Sequence, residues 1–172
     1  MRTRLRWMTA ASLAAAVAAT GFAGAAASTK GYDTSSVTVS EDLAARVPAD
    51  IRETGVLVGG SDNDYAPWEY LAGDDGQTPE GIDIDIGDAI AAKLGLTYES
   101  RTAQFTTILP ALGTNYDIGL SAFSITEERK KVVNFVSYAE TGNEWVIRAG
   151  NPTDFDPKDI CGRRIAVQSG SR

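Results

Sequence analysis

The sequence contains no histidine and only one cysteine, Cys161. Without histidine the chain cannot use Ser-His-Asp or Cys-His catalysis and cannot hold a histidine-ligated metal. One cysteine cannot form a disulfide within the chain, so Cys161 is either a free thiol or is paired with a partner outside it. We expect neither a metal nor a cofactor in this protein.

Basic residues are also in short supply, with 16 Lys and Arg against 23 Asp and Glu. Three of them, Arg2, Arg4 and Arg6, precede a short apolar run over residues 8–19 that small residues follow. This pattern is typical of a secretory signal peptide and is too short for a membrane span. We predict a signal peptide over residues 1–27 and an exported, extracytoplasmic protein at the cell surface, in the periplasm or secreted. Because no cysteine lies beside the cleavage site, a lipid anchor is not indicated.

Removal of the signal peptide leaves 13 basic against 23 acidic residues, a net charge of −10. This balance argues against nucleic acid or anionic lipid as a partner, since both require clustered Lys and Arg. The remaining chain of about 145 residues is long enough for one domain of ordinary size.

Strands and helices alternate along the predicted structure. A polar, aperiodic stretch over residues 28–49 is expected to be a flexible leader. Predicted strands are 55–61, 97–101, 116–120, 132–137, 144–148 and 164–168, with a hairpin from 69–72 and 79–84 and helices over 83–94 and 105–112. This alternation predicts an α/β protein with a mixed sheet, containing parallel strands and flanked by helices.

The stretch Asp117–Phe135 is the most informative part of the chain. A buried strand gives way to Ser121 and Ser124, and a short polar helix follows, with Thr126 as the predicted N-cap. Exposed amides, hydroxyls and the nearby guanidinium of Arg129 suit a carboxylate held by a planar fork. The alternative is a capped surface helix with one solvated arginine.

Four runs of sequence together resemble the family-3 extracellular solute-binding proteins, which bind polar amino acids for ABC importers. These runs are GSDNDYAPWEY (60–70), GIDIDIGDAIAAKLG (81–95), SAFSITEERKKVVNF (121–135) and GRRIAVQSGS (162–171). The resemblance implies a periplasmic-binding-protein-like (type II) fold whose first lobe covers residues 50–142. Residues 143–172 would begin a second lobe that is mostly absent, so we expect the chain to be a truncated form.

The same resemblance implies a binding protein and not an enzyme. It would be a monomer that delivers a polar amino acid, or a similar small zwitterion, to the permease subunits of an ABC importer. In this family Arg129 would grip the ligand's α-carboxylate with Ser124 beside it, and Ser121 would face the α-ammonium. Ala122 stands where relatives often have a hydroxyl, so one contact to the ammonium is expected from backbone or water.

The resemblance implies a role in ligand binding for four further positions. Tyr65 and Phe105 would sandwich the ligand's side chain, and Asp62 would meet its polar or cationic tip. Ser171 would belong to the carboxylate grip of lobe two. Phe105 fits a core position equally well.

Other interpretations remain open. Asp83 and Asp85, two residues apart before a helix, are expected to be a cap and a solvated partner and not a catalytic pair. The same fold could serve an exported enzyme, such as a cyclohexadienyl or arogenate dehydratase, or the input domain of a sensor. Because lobe one supplies half of the contacts, the 172 residues alone are expected to bind amino acids weakly or not at all.

Overall fold

The computed structural model describes residues 31–171, so the predicted signal peptide over residues 1–27 lies outside the described part. The helices are α1 (Glu41–Ala44), α2 (Ala49–Thr54), α3 (Ile82–Leu94) and α4 (Phe105–Ile108). The strands are β1 (Val56–Ser61), β2 (Asp64–Tyr65), β3 (Glu69–Ala72), β4 (Thr78–Glu80), β5 (Thr97–Thr102) and β6 (Ile118–Gly119). Single 3₁₀ turns occur at Thr34–Ser36, Leu109–Ala111 and Arg129–Lys131.

The main sheet is parallel, with strand order β5–β1–β6. Its middle strand, β1, is the compact apolar run that the sequence predicts to be a buried strand. Gly59 in this strand is required by close approach, because a Cβ there would collide with the side chain of Tyr98 from β5. Buried apolar side chains of the helices and strands around the sheet form the core: Leu57, Ile84, Ala91, Ile108 and Leu120.

A second, antiparallel sheet has the order β2–β3–β4 and confirms the predicted hairpin. After β4 the chain enters α3 through Gly81. Helix α3 confirms the amphipathic helix predicted over residues 83–94. Helix α3 packs against β5 and β1 of the parallel sheet. The hairpin and the main sheet are thus linked through the first turn of α3.

The stretch expected to be a flexible leader lies against α3 in its described part. The backbone N–H of Tyr32 donates to Asp85 Oδ1 at 2.8 Å, and that of Ser40 donates to the carbonyl of Lys93 at 2.9 Å. Val47, further along, is buried. A polar sequence without periodicity gives no signal for bonds of this kind, which depend on the neighbouring helix.

Several predicted elements are shorter or absent. The predictions of strands over 132–137, 144–148 and 164–168 are wrong, because none of these segments pairs with a strand among residues 31–171. The helix predicted over 105–112 divides into α4 and a 3₁₀ turn, which contains Pro110. Within residues 31–171, no helix has the length and apolar character needed to cross a membrane.

Candidate ligand-binding site

Three strands of the parallel sheet end at one edge, and a predicted site residue follows each of them. Asp62 follows β1, Phe105 lies just beyond β5, and Ser121 lies just beyond β6. Ligands of open α/β sheets bind outside the carboxyl ends of the strands, so this edge is where a site is expected.

A cavity of about 370 Å³ opens at this edge. This volume is in the range of pockets that hold small molecules. Six of the seven predicted site residues line it: Tyr65, Phe105, Ser121, Ser124, Arg129 and Ser171. The structure therefore brings together residues that are up to 106 positions apart in the sequence.

The guanidinium of Arg129 forms part of the cavity wall. Its Nη1 donates to the carbonyl of Ser124 and its Nη2 to the carbonyl of Gly170, each at 2.8 Å. The guanidinium carbon lies 5.5 Å from the ring centre of Phe105 and 5.4 Å from that of Phe123. Two carbonyls and two aromatic faces thus fix the position and plane of this cation.

The start of the Arg129 turn agrees in part with the sequence prediction. The hydroxyl of Thr126 accepts from the backbone N–H of Arg129 at 3.2 Å, which is the capping interaction expected of it. The helix itself is a single 3₁₀ turn. Ser124 lies beside the guanidinium, as the family resemblance implies, and its backbone carbonyl accepts from Arg129.

Asp62 is the predicted site residue that does not line the cavity. Its Oδ1 accepts from the backbone N–H of Phe105 at 3.2 Å, and its Oδ2 accepts from Gln168 Nε2 at 2.6 Å. Asp62 therefore lies behind the part of the cavity wall that Phe105 forms. It binds the side chain of Gln168, which lines the cavity together with Ser171. Ser171 donates from both its N–H and its hydroxyl to the carbonyl of Gln168, at 3.2 and 2.7 Å.

Ser121 connects the cavity to a buried acid that the sequence analysis did not identify. Its hydroxyl donates to Glu69 Oε1 at 2.6 Å and accepts from the backbone N–H of Asp62 at 3.0 Å. Glu69 begins β3, is 1% exposed and lines the cavity. Both bonds of the Ser121 hydroxyl are thus directed by neighbouring strands, and its orientation is fixed.

Asp83 was expected to be a helix cap or a solvated residue, and this expectation is wrong. Its side chain is fully buried. Asp83 Oδ2 accepts from the backbone N–H of Ala122, and Oδ1 accepts from the hydroxyl of Tyr138, each at 2.8 Å. Asp83 therefore ties the start of α3 to the loop that carries Ser121.

Burial changes the acidity of both carboxyl groups. Burial raises the pKa of Glu69 to about 8, and the negative charges of Asp83 and Asp62 raise it as well. The hydrogen bond from Ser121 acts in the opposite direction and lowers this pKa. Burial also raises the pKa of Asp83, while the bonds from Ala122 and Tyr138 lower it. Within residues 31–171, no group of three or more His, Cys, Asp and Glu side chains could hold a metal ion.

The raised pKa of Glu69 predicts a pH-dependent stability. The folded protein keeps the Glu69 proton up to about pH 8, whereas the unfolded chain releases it near 4.5. Between these values the folded state binds more protons, so this residue's contribution to the free energy of unfolding decreases as the pH rises from about 4.5 to 8. The glutamine side chain of the Glu69→Gln variant is neutral at every pH, so the free energy of unfolding of this variant should decrease less over the same pH range. Urea denaturation of both proteins at pH 5, 6.5 and 8 checks this, and parallel pH profiles would contradict it.

Comparisons with known proteins show which family the chain resembles. Residues 57–168 match the family model described as bacterial extracellular solute-binding proteins, family 3. The chain is 33% identical to the arginine-binding protein ArgT of Corynebacterium glutamicum, over 74% of this chain and 41% of that protein. It is also 33% identical to the arginine-binding extracellular protein ArtP of Bacillus subtilis, over 67% of this chain and 44% of that protein.

The chain thus spans less than half the length of these curated relatives. Among solved structures, a mutant of arginine-bound ArgBP from T. maritima is 34% identical, with a TM-score of 0.48 over 51% of this chain and 41% of that one.

The two sheets, one parallel and one antiparallel, make this a mixed α/β protein of the periplasmic-binding-protein-like (type II) class. The family match covers well over half of the sequence, and the chain therefore belongs to the bacterial extracellular solute-binding proteins, family 3.

Proposed function

We propose that this chain forms the first-lobe wall of an extracytoplasmic site for an amino acid with a cationic side chain, such as arginine. The bound amino acid would be delivered to the permease subunits of an ABC importer. The observation that carries this proposal is the fixed guanidinium of Arg129 at the wall of the cavity. The names of the curated relatives, which are arginine-binding proteins, support the choice of ligand.

The carboxylate of the ligand would take the place of a protein carbonyl on Arg129. The Nη2 of Arg129 donates to the neutral carbonyl of Gly170. A carboxylate forms shorter and roughly twice as strong bonds to a guanidinium as a neutral carbonyl does. Exchange of the Gly170 carbonyl for an α-carboxylate is therefore favourable, and it moves residues 168–171 aside as the ligand enters.

The α-ammonium of the ligand would meet Ser121. A hydroxyl has one hydrogen to donate and two lone pairs that can accept. Ser121 uses its hydrogen on Glu69 and one lone pair on the N–H of Asp62. The second lone pair suits an ammonium donor, which is the role that the family resemblance implies for this residue.

Acidic groups around the cavity favour a cationic side chain. Asp64 lines it, and Asp62 lies directly behind its wall. Arg129 lines the same cavity, and its charge would be matched by the ligand's carboxylate. A second cation at the far end of the ligand would therefore face an excess of negative charge.

The test is a calorimetric titration of the protein as its gene encodes it. We expect L-arginine to bind, agmatine to bind far more weakly because it lacks the carboxylate, and L-glutamate to bind weakly because its side chain is acidic. Loss of the partner of a buried charge costs about 2–5 kcal/mol, which corresponds to a ratio of roughly 30 or more between arginine and agmatine. Equal affinities for arginine and agmatine would contradict the proposed role of Arg129.

We also propose that the protein performs no chemical conversion. The curated relatives are named as binding proteins, and Asp62 and Asp83 are each held by two hydrogen-bond donors. Turnover of prephenate or arogenate by the purified protein would refute this and establish the dehydratase alternative.

A further inference from the structure

Glu69 and Asp83 form a pair of buried carboxyl groups beside the cavity. Glu69 is 1% exposed and Asp83 is fully buried. Neither has an ion pair with a Lys or Arg in the described part of the chain. Two adjacent carboxylates without a cation cannot both stay ionised in a buried site, so the pair holds one proton.

The hydrogen bonds indicate which residue carries this proton. Asp83 accepts from two donors, the N–H of Ala122 and the hydroxyl of Tyr138, which favours its ionised form. Glu69 accepts from Ser121 alone, and its Oε2 is buried without an N–H or O–H donor. A proton on Glu69 would supply the hydrogen that its Oε2 lacks, and a hydrogen bond between the two carboxyl groups raises the pKa of Glu69 and lowers that of Asp83.

The position of Glu69 exposes this proton to the ligand's charge. Glu69 and Ser121 both line the cavity, and the hydroxyl of Ser121 donates a hydrogen bond to Glu69 Oε1. An ammonium that contacts Ser121 therefore comes next to the carboxyl of Glu69. Its positive charge favours the ionised form of this carboxyl.

We propose that Glu69 is the residue that selects for the α-ammonium of the ligand, and that binding expels the shared proton of the Glu69–Asp83 pair into solvent. The O–H bond of Glu69 breaks, the proton passes to water or buffer, and the carboxylate pairs with the ammonium. The site gains one negative charge from Glu69 and one positive charge from the ammonium. This inference rests on the proposed function.

Groups from every neighbouring element set the pH range of this effect. Glu69 faces Ser121 from the loop after β6 and Asp83 from α3, and it also experiences the charge of Asp62 after β1. Tyr138 acts on the pair through Asp83. Burial raises the pKa of Glu69 to about 8 in the absence of ligand, so the proton is present at neutral pH.

The sign of the pH dependence follows from linkage. Because binding releases a proton below about pH 8, a lower proton concentration favours the complex. The dissociation constant should therefore fall as the pH rises towards 8, by up to about tenfold per pH unit, and level off above it.

The experiment is calorimetry near pH 7 in phosphate and in Tris, which take up protons with very different heats. With L-arginine we expect release of about one proton, seen as a difference between the heats in the two buffers. The desamino analogue guanidinovalerate, which keeps the carboxylate and the guanidinium, should bind more weakly and release none. In Glu69→Gln, arginine should bind more weakly and with equal heats in both buffers. Asp74→Asn, in the exposed turn between β3 and β4, is the matched control and should retain the wild-type release.

The outcomes separate this inference from the proposed function. Tight binding of arginine with equal heats in both buffers overturns the proton release and leaves the proposed function standing. Equal proton release by arginine and by guanidinovalerate overturns the assignment of the α-ammonium to Glu69. Absence of arginine binding overturns the proposed function and this inference together. If Glu69→Gln does not fold, the buffer comparison and the pH profile of the wild-type protein still decide the question.

Discussion

Replacement of Arg129 by alanine is expected to produce the largest loss of ligand affinity. The guanidinium is held by the carbonyl of Ser124 and lies over two phenylalanine rings, so its geometry is set before a carboxylate replaces the carbonyl of Gly170. Removal leaves a desolvated carboxylate without its cation. The expected penalty is about 2–5 kcal/mol, or a dissociation constant raised on the order of 30-fold to several thousand-fold.

Two further variants make this prediction specific. Lys130→Ala removes a neighbouring positive charge whose partner is the exposed Glu127, and it should leave affinity nearly unchanged. Arg129→Lys keeps the charge but lacks the planar fork, so it should recover only part of the lost affinity. Affinities are measured by calorimetry, and circular dichroism establishes that each variant is folded. Wild-type affinity in Arg129→Ala would remove the basis of the proposed function.

The parts of the fold that the sequence predicts are those whose signal is local. Strand β1 is a continuous apolar run, and α3 has helical spacing of apolar residues followed by Gly95, so both are found nearly at their observed boundaries. The strand, serine and arginine pattern of Asp117–Phe135 is equally local. It indicates the end of β6, and in the structure Arg129 lines the cavity beside that end.

The parts that the sequence does not predict depend on contacts between distant residues. Asp83 looks like a helix cap, because nothing near it in the sequence shows that Ala122 and Tyr138 will surround it. Glu69 has one local signal, since the alternation of β3 places it on the same side as Leu71, yet its burial depends on Ser121, 52 positions away. The three strands predicted after Lys131 fail for the same reason, because an extended segment becomes a strand only beside a partner.

Replacement of Gly81 by alanine is expected to produce the largest loss of stability among single-methyl substitutions at this site. Gly81 has φ 127° and ψ −179°, a conformation that is essentially restricted to glycine. A Cβ there would collide with the carbonyl oxygen of Trp68 and lie 2.9 Å from that of Pro67. Both obstacles are backbone atoms, which cannot rotate away as a side chain can. Backbone strain of about 1–3 kcal/mol and overpacking of about 1–3 kcal/mol together predict a loss of roughly 2–5 kcal/mol.

The consequences of this change should extend to ligand binding, because the same two carbonyls hold the start of α3. Ile82 donates its N–H to the carbonyl of Pro67, and Asp83 donates its N–H to the carbonyl of Trp68, so a shift at Gly81 moves Asp83 and with it the loop that carries Ser121.

Gly76→Ala is the matched control. Its φ of 63° is also positive, but a Cβ there meets no atom within 4 Å, so only backbone strain of about 1 kcal/mol is expected. Urea denaturation of the two variants distinguishes them, and equal losses would show that the contact with Trp68 and Pro67 does not constrain this turn. A Gly81→Ala variant that folds but binds arginine weakly would link the backbone of this turn to the geometry of the site.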